Sequence, residues 1–447
     1  MKNTVARRDD HVHSFFAAST ERIAERLMER GFTDGLKVFL APGGRERRFT
    51  IPVLLWLGIL GAAQAGMRSM ETILSAACAA VEGAACLPLQ AVTMTESGWS
   101  RAKGRMSLGL LRRVWRRWIE HARAAAGEAA VYRGMHLVAF DKKTLQVPES
   151  LWTVFGSHRG CRGEGPAQAE LMVAYDVCLR VPIEFTLGKV REDERVLGRR
   201  LLRKLPKALV LVDGGFYSIA FFADIRRAGH EFLTRMRGNG KPRLQKRLGS
   251  DDGLYEIRGS VAYWKKKGVE VPETMTVRII QVQWTGFRPV RIVTSLWDAE
   301  AFSREELIAL YHHRWHIETF FRELTHVVEF EHWHTRTLKG LYVEMLFYMI
   351  YVSAVRAHLA EAAKAAGVLP GHLSFSRGAE FCVRAWCRMA KAPPDRAALL
   401  RTELIEHLAR TTIDIRPGRS FERDRQKRRL ESRKKKLQAL QEKKHAA

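Results

Sequence analysis

The chain changes its pattern of apolar and polar positions near residue 128. Before that point, apolar residues recur every three or four positions, which is the spacing of a helix with one buried face. This spacing predicts helices over residues 21–30, 51–67, 70–81 and 108–126. The segment 101–117 is also rich in Arg and Lys, and this pattern fits either a solvated basic face or a DNA contact. The first part of the chain is therefore predicted to be a helical domain with a possible role in DNA binding.

Short apolar runs with β-branched residues begin at His136 and predict strands. They cover residues 136–140, 171–175, 208–212 and 232–236, and a helical segment at 218–228 separates the last two. Strands that alternate with helices predict an α/β layer whose sheet is at least partly parallel. Asp141 and Asp213 directly follow the first and third runs. Because functional groups gather at the carboxyl ends of parallel strands, we expect both carboxylates at one edge of the sheet.

A second change of pattern lies between Asp213 and the next helical segment. Residues 239–294 return to a β-like alternation, clearest at 261–264 and 277–284, which predicts an inserted β module. Apolar helices then continue to about His407, and a nearly coreless basic run begins at Arg416. The predicted division is a helical N-terminal domain at 1–128, an α/β core at 129–238 and 295–345, the β insertion at 239–294, a helical C-terminal region at 346–415 and a basic tail at 416–447.

A single long helix is predicted from Ser303 onward, since Ser303 and Glu306 have the form of a capping box. Five of its residues recur at three- and four-residue steps and share one face: Tyr311, Arg314, Glu318, Arg322 and Thr325. A carboxylate with an arginine one turn away on each side suits a residue that holds a metal ion beside a phosphate backbone. This face is therefore the first candidate for chemistry.

The composition narrows the class of partner. The 447 residues carry a formal net charge of +27, and many Lys and Arg side chains can replace counterions along a phosphate backbone. Nucleic acid is the leading partner, ahead of a membrane surface, because no basic amphipathic segment stands out. The apolar stretches at 51–63 and 341–355 are interpreted as buried helices, so no membrane partner is expected.

Soft-metal and secretory features are weak in this sequence. The six cysteines are scattered without paired-ligand spacing, which predicts reduced thiols in a cytoplasmic protein. The first twenty residues are mostly charged and polar, so no cleavable signal peptide is expected. A zinc site remains an alternative interpretation of four histidines, although no His-Glu-x-x-His order is present: His312, His313, His316 and His326.

Asp141, Asp213 and Glu318 are the candidate ligands of a hard divalent cation. Mg²⁺ and Mn²⁺ prefer oxygen ligands, and two such ions about 4 Å apart can activate water and stabilise the departing oxygen of a phosphodiester. Each aspartate taken alone also fits a turn or a helix cap. Asp176, at the end of the second strand, fits either an accessory carboxylate or a turn.

Four ordered segments carry a family resemblance. They are 141–145 (Asp-Lys-Lys-Thr-Leu), 167–176 (Ala-Gln-Ala-Glu-Leu-Met-Val-Ala-Tyr-Asp), 212–218 (Val-Asp-Gly-Gly-Phe-Tyr-Ser) and 311–318 (Tyr-x-x-Arg-x-x-x-Glu). In these segments the chain resembles the bacterial insertion-sequence transposases of the DDE, ribonuclease-H-like superfamily, specifically the IS-four-type branch. The resemblance implies an α/β ribonuclease-H-like catalytic core with an inserted β module, an α-helical N-terminal domain and a helical C-terminal region.

The resemblance also implies roles for single residues. Asp141, Asp213 and Glu318 would form the metal-binding catalytic triad, with Mg²⁺ or Mn²⁺ as the cofactor and two ions in the site. Tyr311 and Arg314 would contact the DNA backbone near the transposon end. These roles follow from the motif positions in the family.

One departure from the family pattern concerns the same helix. The family places a lysine seven residues after the glutamate, where this chain has Thr325. Arg322, one turn after Glu318, is the candidate to supply the missing phosphate contact, and weakened strand transfer is the other interpretation. In relatives, the β insertion carries an aromatic residue that stabilises a flipped base, and Trp264 and Trp284 are the candidates here, with a plain core role as the alternative.

The activity implied by the resemblance is cut-and-paste transposition through a DNA hairpin. Its partners would be double-stranded DNA, as transposon-end inverted repeats and target DNA, and a second copy of the chain in a homodimeric synaptic complex. The expected location is the bacterial cytoplasm, at the nucleoid. Two alternatives stay open: a catalytically degenerate or domesticated DNA-binding protein, and a nuclease of the same fold that does not join ends to a target.

Overall fold

The computed structural model describes residues 51–63, 69–81, 95–158, 165–237, 241–259, 271–283 and 289–413. This part of the chain combines one large mixed sheet with several helices, so the predicted α/β class is confirmed. Five sequence predictions lie outside the described residues: the helix at 21–30, the strand at 261–264, Trp264, Trp284 and the basic tail at 416–447.

Four helices precede the sheet in the described residues: α1 (Ile51–Ala63), α2 (Met70–Val81), α3 (Glu96–Arg105) and α4 (Leu108–Ala126). The predicted helices at 70–81 and 108–126 are confirmed. Ser107 begins α4, because its hydroxyl accepts a hydrogen bond from the Leu110 amide that would otherwise lack a partner. The apolar face of α4 buries Trp115 and Trp118 in the protein core.

Within the described residues, the middle of the chain supplies the sheet and three short α-helices. Its strands are β1 (His136–Gln146), β2 (Gln168–Asp176), β3 (Val181–Gly188), β4 (Ala208–Val212), β5 (Glu231–Arg235), β6 (Arg243–Gly249), β7 (Asp252–Arg258), β8 (Thr274–Val282) and β9 (Val290–Thr294). The helices are α5 (Trp152–Phe155), α6 (Glu194–Leu202) and α7 (Ile219–Arg227). The sequence patterns identified β2, β4, β5 and α7 closely but gave no sign of β3 or α6.

The nine described strands form one sheet in the order β3-β2-β1-β4-β5-β9-β8-β7-β6. The pairs β1–β4 and β4–β5 are parallel, and the other pairs are antiparallel. The predicted interval 239–294 does contain strands, but β9 pairs directly with β5. Its strands therefore extend the central sheet. The domain boundaries and the ribonuclease-H-like character remain predictions.

Strand β1 is longer than the apolar run that predicted it. The run ends at Phe140, whereas β1 continues to Gln146 because it stays paired with β2 after its ladder with β4 has ended. The expectation that Asp141 lies at the end of its strand is therefore wrong. Asp141 lies within β1, just beyond the part that pairs with β4. The polar run after it hid this continuation from the hydrophobic pattern.

Up to residue 413, where the described part ends, five α-helices follow the sheet: α8 (Arg304–His312), α9 (Trp315–His326), α10 (Leu338–Ala366), α11 (Phe375–Lys391) and α12 (Pro394–Ala409). The central one, α10, packs on α1, α4 and α12. It is long and apolar enough to cross a membrane, but 83% of its most apolar 18-residue stretch is buried inside the protein. This burial confirms the interpretation of residues 341–355 as a buried core helix.

The predicted single helix from Ser303 is in fact two helices. Ser303 does begin α8, where its side chain accepts from the Glu306 amide at 3.3 Å. The helix then breaks at His313 and Arg314. Across the break the amide of Arg314 bonds to the carbonyl of Tyr311 at 3.2 Å, three residues back. This tighter spacing is that of a 3₁₀ turn, which separates α8 from α9.

Candidate active site

Asp141 and Asp213 lie side by side on one face of the sheet. In the parallel pair β1–β4, Ala139 is opposite Leu211, and each aspartate lies two residues further along its chain. Alternate residues of a strand share a face, so Asp141 belongs to the face that carries Leu137 and Ala139. That face packs against the helical core, and α9 contacts β1 on it.

The loop after β4 fixes Asp213. Its carboxylate accepts a hydrogen bond from the Gly215 amide at 2.8 Å, and it caps the 3₁₀ turn Gly214–Phe216. Its carbonyl oxygen accepts from the Thr234 hydroxyl of β5 at 3.1 Å. The side chain is therefore held at the carboxyl end of β4, as predicted, and it serves as a turn cap as well.

Glu318 lies in the first turn of α9 and is one third exposed. The guanidinium of Arg314, which is itself buried, donates to Glu318 Oε1 at 3.0 Å. Tyr311 ends up beside Arg314 despite the helix break. Burial raises the pKa of Tyr311 and the Asp213 charge adds to the rise, whereas Arg314 lowers it. Tyr311 and Arg314 therefore lie with the carboxylates.

The electrostatics of Asp141 tie the three predicted carboxylates together. Burial raises the pKa of Asp141 to about 6, against the lowering effect of its hydrogen bond from the Lys142 amide and of the Arg314 charge. The charges of Glu318 and Asp213 raise it further. The structure thus brings all three into one electrostatic neighbourhood, because each ionised carboxylate penalises the next.

A fourth carboxylate, Glu194, was missed by the sequence reasoning. It is the first residue of α6, after the cap Asp193. Burial raises the pKa of Glu194 to about 7, and the charges of Asp213 and Asp141 raise it too. A Cβ atom at Gly215 would overlap Glu194 Oε1 and lie 2.9 Å from Asp213 Oδ1. No hydrophobic run or motif marked this position in the sequence.

The donor chemistry of this edge fits an oxygen-coordinated divalent cation. Buried carboxylates with raised pKa values lower their mutual repulsion when a cation binds between them. Within the described residues, however, no group of three or more His, Cys, Asp or Glu side chains lies close enough to hold one ion together. The Glu318 carboxylate is bonded to Arg314, and the Asp213 carboxylate is bonded to the Gly215 amide. Both side chains would have to rotate to coordinate a cation.

The remaining candidates fall into separate places. Arg322 is exposed on α9, one turn after Glu318, and Arg235 at the end of β5 lowers the pKa of Tyr311 through its charge. Asp176 accepts from the amides of Cys178 and Leu179 at 3.1 and 3.0 Å, which confirms its turn role. Trp264 and Trp284 are outside the described residues.

The four histidines of α8, α9 and the break between them differ in exposure. His312, His313 and His326 are exposed, whereas His316 lies 2.9 Å from the Arg180 guanidinium. Burial and the charge of Arg180 lower the pKa of His316 to about 3. A neutral ring that accepts from an arginine is a packing arrangement, and it accounts for His316 without a metal.

Comparison with known proteins gives a consistent family. The family model described as "Transposase DDE domain" matches residues 132–352, which include Asp141, Asp213 and Glu318. The transposase InsG for insertion sequence element IS4, from Escherichia coli (strain K12), is 23% identical over 299 residues, 65% of this chain and 67% of that protein.

A solved structure is similar only at a coarse level. It is the cryo-EM structure of the piggyBac transposase synaptic complex with hairpin DNA, 11% identical, with a TM-score of 0.37 over 90% of this chain and 84% of that chain. A score this low carries no argument about the fold. The family model and the curated relative agree with each other: the region at 132–352 is a DDE transposase domain, and over 299 residues the chain is similar to the transposase of the IS4 element.

Proposed function

We propose that the chain is a cut-and-paste DNA transposase that works by metal-dependent hydrolysis and transesterification of phosphodiesters. One observation carries the proposal. The β1–β4 register and the packing of α9 bring Asp141, Asp213 and Glu318 into one electrostatic neighbourhood, with Tyr311 and Arg314 beside them. The carboxylate oxygens can bind a cation, and the tyrosine hydroxyl and the guanidinium beside them can bind a phosphate.

The carboxylates would hold the cofactor, Mg²⁺ or Mn²⁺, with two ions in the site. When bound, the ions would supply an activated water and neutralise charge on the departing oxygen. The partial burial of Asp141 and Glu194 would strengthen their attraction to a cation. Glu194 is accordingly a candidate for the same shell.

Tyr311 and Arg314 would orient the DNA backbone. The Tyr311 hydroxyl is protonated at neutral pH, as tyrosine ordinarily is, and burial raises its pKa further, so it can donate to a phosphate oxygen. Arg314 is held against Glu318 and can offer further N–H groups to a phosphate. A phosphodiester bound by these two residues would lie against the carboxylate edge, where in-line attack becomes an effectively unimolecular step.

The order of the steps follows the IS4-type resemblance. Water nicks one strand at the transposon end, and the freed 3′-hydroxyl attacks the opposite strand to form a hairpin. A second water opens the hairpin, and the new 3′-hydroxyl attacks target DNA. Each step is a displacement at phosphorus, so one carboxylate cage can serve all of them. Two ends must be held together, which favours a homodimer acting on DNA at the nucleoid.

The test uses a duplex taken from the DNA that flanks the gene, incubated with Mn²⁺ and read by product mapping. Wild-type protein should nick the end and then give a hairpin. Asp141→Asn, Asp213→Asn and Glu318→Gln should bind the end but not nick it. Glu380→Gln, an exposed position on α11, is the matched control and should nick normally.

The outcomes separate the competing functions. Normal nicking by any of the three variants would remove that residue from the proposed triad. A wild-type protein that shifts the duplex but never nicks it would be a DNA-binding protein without catalysis. Hydrolysis without hairpins or joining to a target would indicate a nuclease of the same fold.

A further inference from the structure

Lys143 of strand β1 reaches α9 at Thr325, the position where the transposases that the chain resembles have a lysine. Lys143 follows Asp141 by two residues in β1, so the two side chains belong to the same face of the sheet. Its ammonium donates to Thr325 Oγ1 at 2.6 Å. Thr325 lies two helical turns after Glu318, on the same stripe of α9. The positive charge therefore lies on the face of the sheet that carries Asp141, roughly 10 Å along α9 from Glu318.

The Lys143 side chain is partly exposed, and so is the carboxylate that pairs with it. Its ammonium forms an ion pair with Glu331 at 3.1 Å, and the two side chains are 23% and 31% exposed. A partly exposed pair of this kind contributes only about 0–1 kcal/mol, so another anion can replace the carboxylate at low cost. A pocket of about 330 Å³ opens at this point, lined by Thr325, His326, Glu329, Glu331 and His332.

We propose that Lys143 is a DNA-positioning residue that binds a backbone phosphate beside the carboxylate edge, and that Glu331 holds its ammonium until DNA arrives. The proposal rests on the proposed function, since it assigns the substrate's phosphate to a residue of that site. The Lys143 ammonium of β1 then supplies the positive charge beside position 325 of α9.

The test measures binding of the full chain to the same end duplex over a range of salt concentrations. Lys143→Met should bind more weakly and lower the slope of log K against log salt by about 1, as expected for one lost phosphate contact. Lys143→Arg should keep the slope. Lys364→Met, which removes the same charge from an exposed position on α10, is the matched control and should leave the slope unchanged.

Two further variants separate phosphate binding from a structural link between β1 and α9. In Lys143→Met with Thr325→Lys, a lysine on α9 itself should restore the slope. Glu331→Gln should tighten binding in the wild-type background but not with Lys143→Met, because the effect requires the freed ammonium. If Glu331→Gln acted only by removing the repulsion between a carboxylate and DNA, it would tighten binding both in the wild-type protein and in Lys143→Met.

A wild-type slope in Lys143→Met would overturn the proposal. So would a double variant whose thermal stability recovers while its slope does not, because Lys143 would then serve only to connect β1 with α9. These readouts are of binding, so they are independent of nicking. If the wild-type protein fails to nick in Mn²⁺, the proposed function fails, whereas the Lys143 result is still decided by the slopes.

Discussion

Acidic side chains meet opposite surroundings in the helical core and at the candidate active site. In the helical core three buried or half-buried glutamates pair with basic side chains: Glu344 with Lys103, Glu323 with Arg356, and Glu361 with Arg401 and His121. Burial alone would raise the pKa of Glu361. The hydrogen bond to His121 and the charges of His358 and Arg401 outweigh it, so the pKa is lowered.

At the candidate active site the pKa values of the acidic side chains shift in the opposite direction. Burial is again the largest influence, but the neighbours of Asp141 and Glu194 include other carboxylates, so their pKa values rise to about 6 and about 7. Charges in the core are neutralised by the protein and hold its helices together. At the candidate active site Asp141 and Glu194 lie near other carboxylates, and the proposed cation would relieve that repulsion when it binds.

Removing one partner from a core pair should have the largest effect. Lys103 and Glu344 are 2% and 9% exposed, and the lysine also donates to the His334 carbonyl at 2.7 Å. Lys103→Met leaves Glu344 charged and buried, so the free energy of unfolding should fall by about 3–5 kcal/mol. Urea denaturation with an unchanged m-value is the measurement.

The double variant Lys103→Met with Glu344→Gln sharpens that result. The amide of Gln can still accept the bond that the His334 amide now gives to Glu344 at 2.9 Å, and it carries no charge. Much of the lost stability should therefore return. A double variant no more stable than Lys103→Met would show that packing, and not the unpaired charge, sets the loss.

Divalent cations should act on the edge and not on the core. Mn²⁺ at a hundred times its dissociation constant should stabilise the wild-type protein by about 2.7 kcal/mol. Asp141→Asn should lose this gain, whereas Lys103→Met, although less stable, should keep it. Thermal melts with and without a chelator measure both. An equal upward shift in Asp141→Asn would place the binding elsewhere.

A glycine-to-alanine change should mainly lower stability in the helical core and mainly slow nicking at the candidate active site. At Gly58 in α1 an added Cβ would overlap the Phe347 ring in the packed core, which should cost about 1–3 kcal/mol of stability. At Gly215 the Cβ meets the end of the flexible Glu194 side chain and the Asp213 carboxylate. Stability should change less, but displacement of Asp213 should slow nicking roughly a hundredfold.

Those two glycine variants are compared by urea denaturation and by the nicking assay on one protein preparation each. Gly58→Ala should nick normally at temperatures where it is folded. If Gly215→Ala loses as much stability as Gly58→Ala, or nicks at the wild-type rate, the edge is as tightly packed as the core or Asp213 is not at the reacting centre.

Much of the fold and of the site could be predicted from local pattern. The periodicity gave α2, α4 and β4, and the strand-end rule gave Asp213, because these depend on residues close in sequence. The extension of β1 through Asp141 could not be predicted, since a polar run pairs there with the distant β2. The break at Arg314 was hidden by helical spacing on both sides.

The residues that were missed entered the site through tertiary contacts. Glu194 comes from an unpredicted helix, and Lys143 approaches Thr325 from a strand 182 positions away. Neither contact has a local signature. Lys143 stood inside the recognised 141–145 segment, but only the position of α9 shows that its charge stands beside Thr325.

The smallest expected effect is a dependence of stability on pH that belongs to the edge alone. The pKa of Glu194 is raised from 4.5 to about 7 on folding, so the folded protein holds more protons than the unfolded chain between those values. Its contribution to stability is fully present below pH 4.5 and is lost as the pH rises through 7. After allowance for solvent screening of this partly exposed group, the loss is about 1 kcal/mol.

Glu194→Gln should remove that dependence. In a chelator, urea denaturation at pH 5 and pH 8 should show the wild-type protein losing about 1 kcal/mol more than the variant, because groups outside the edge titrate alike in both. Adding Mn²⁺ at pH 8 should narrow the difference, since a cation stabilises the ionised carboxylates. Parallel pH profiles in the chelator would mean that Glu194 is solvated, and the contrast between the edge and the core would then rest on Asp141 alone.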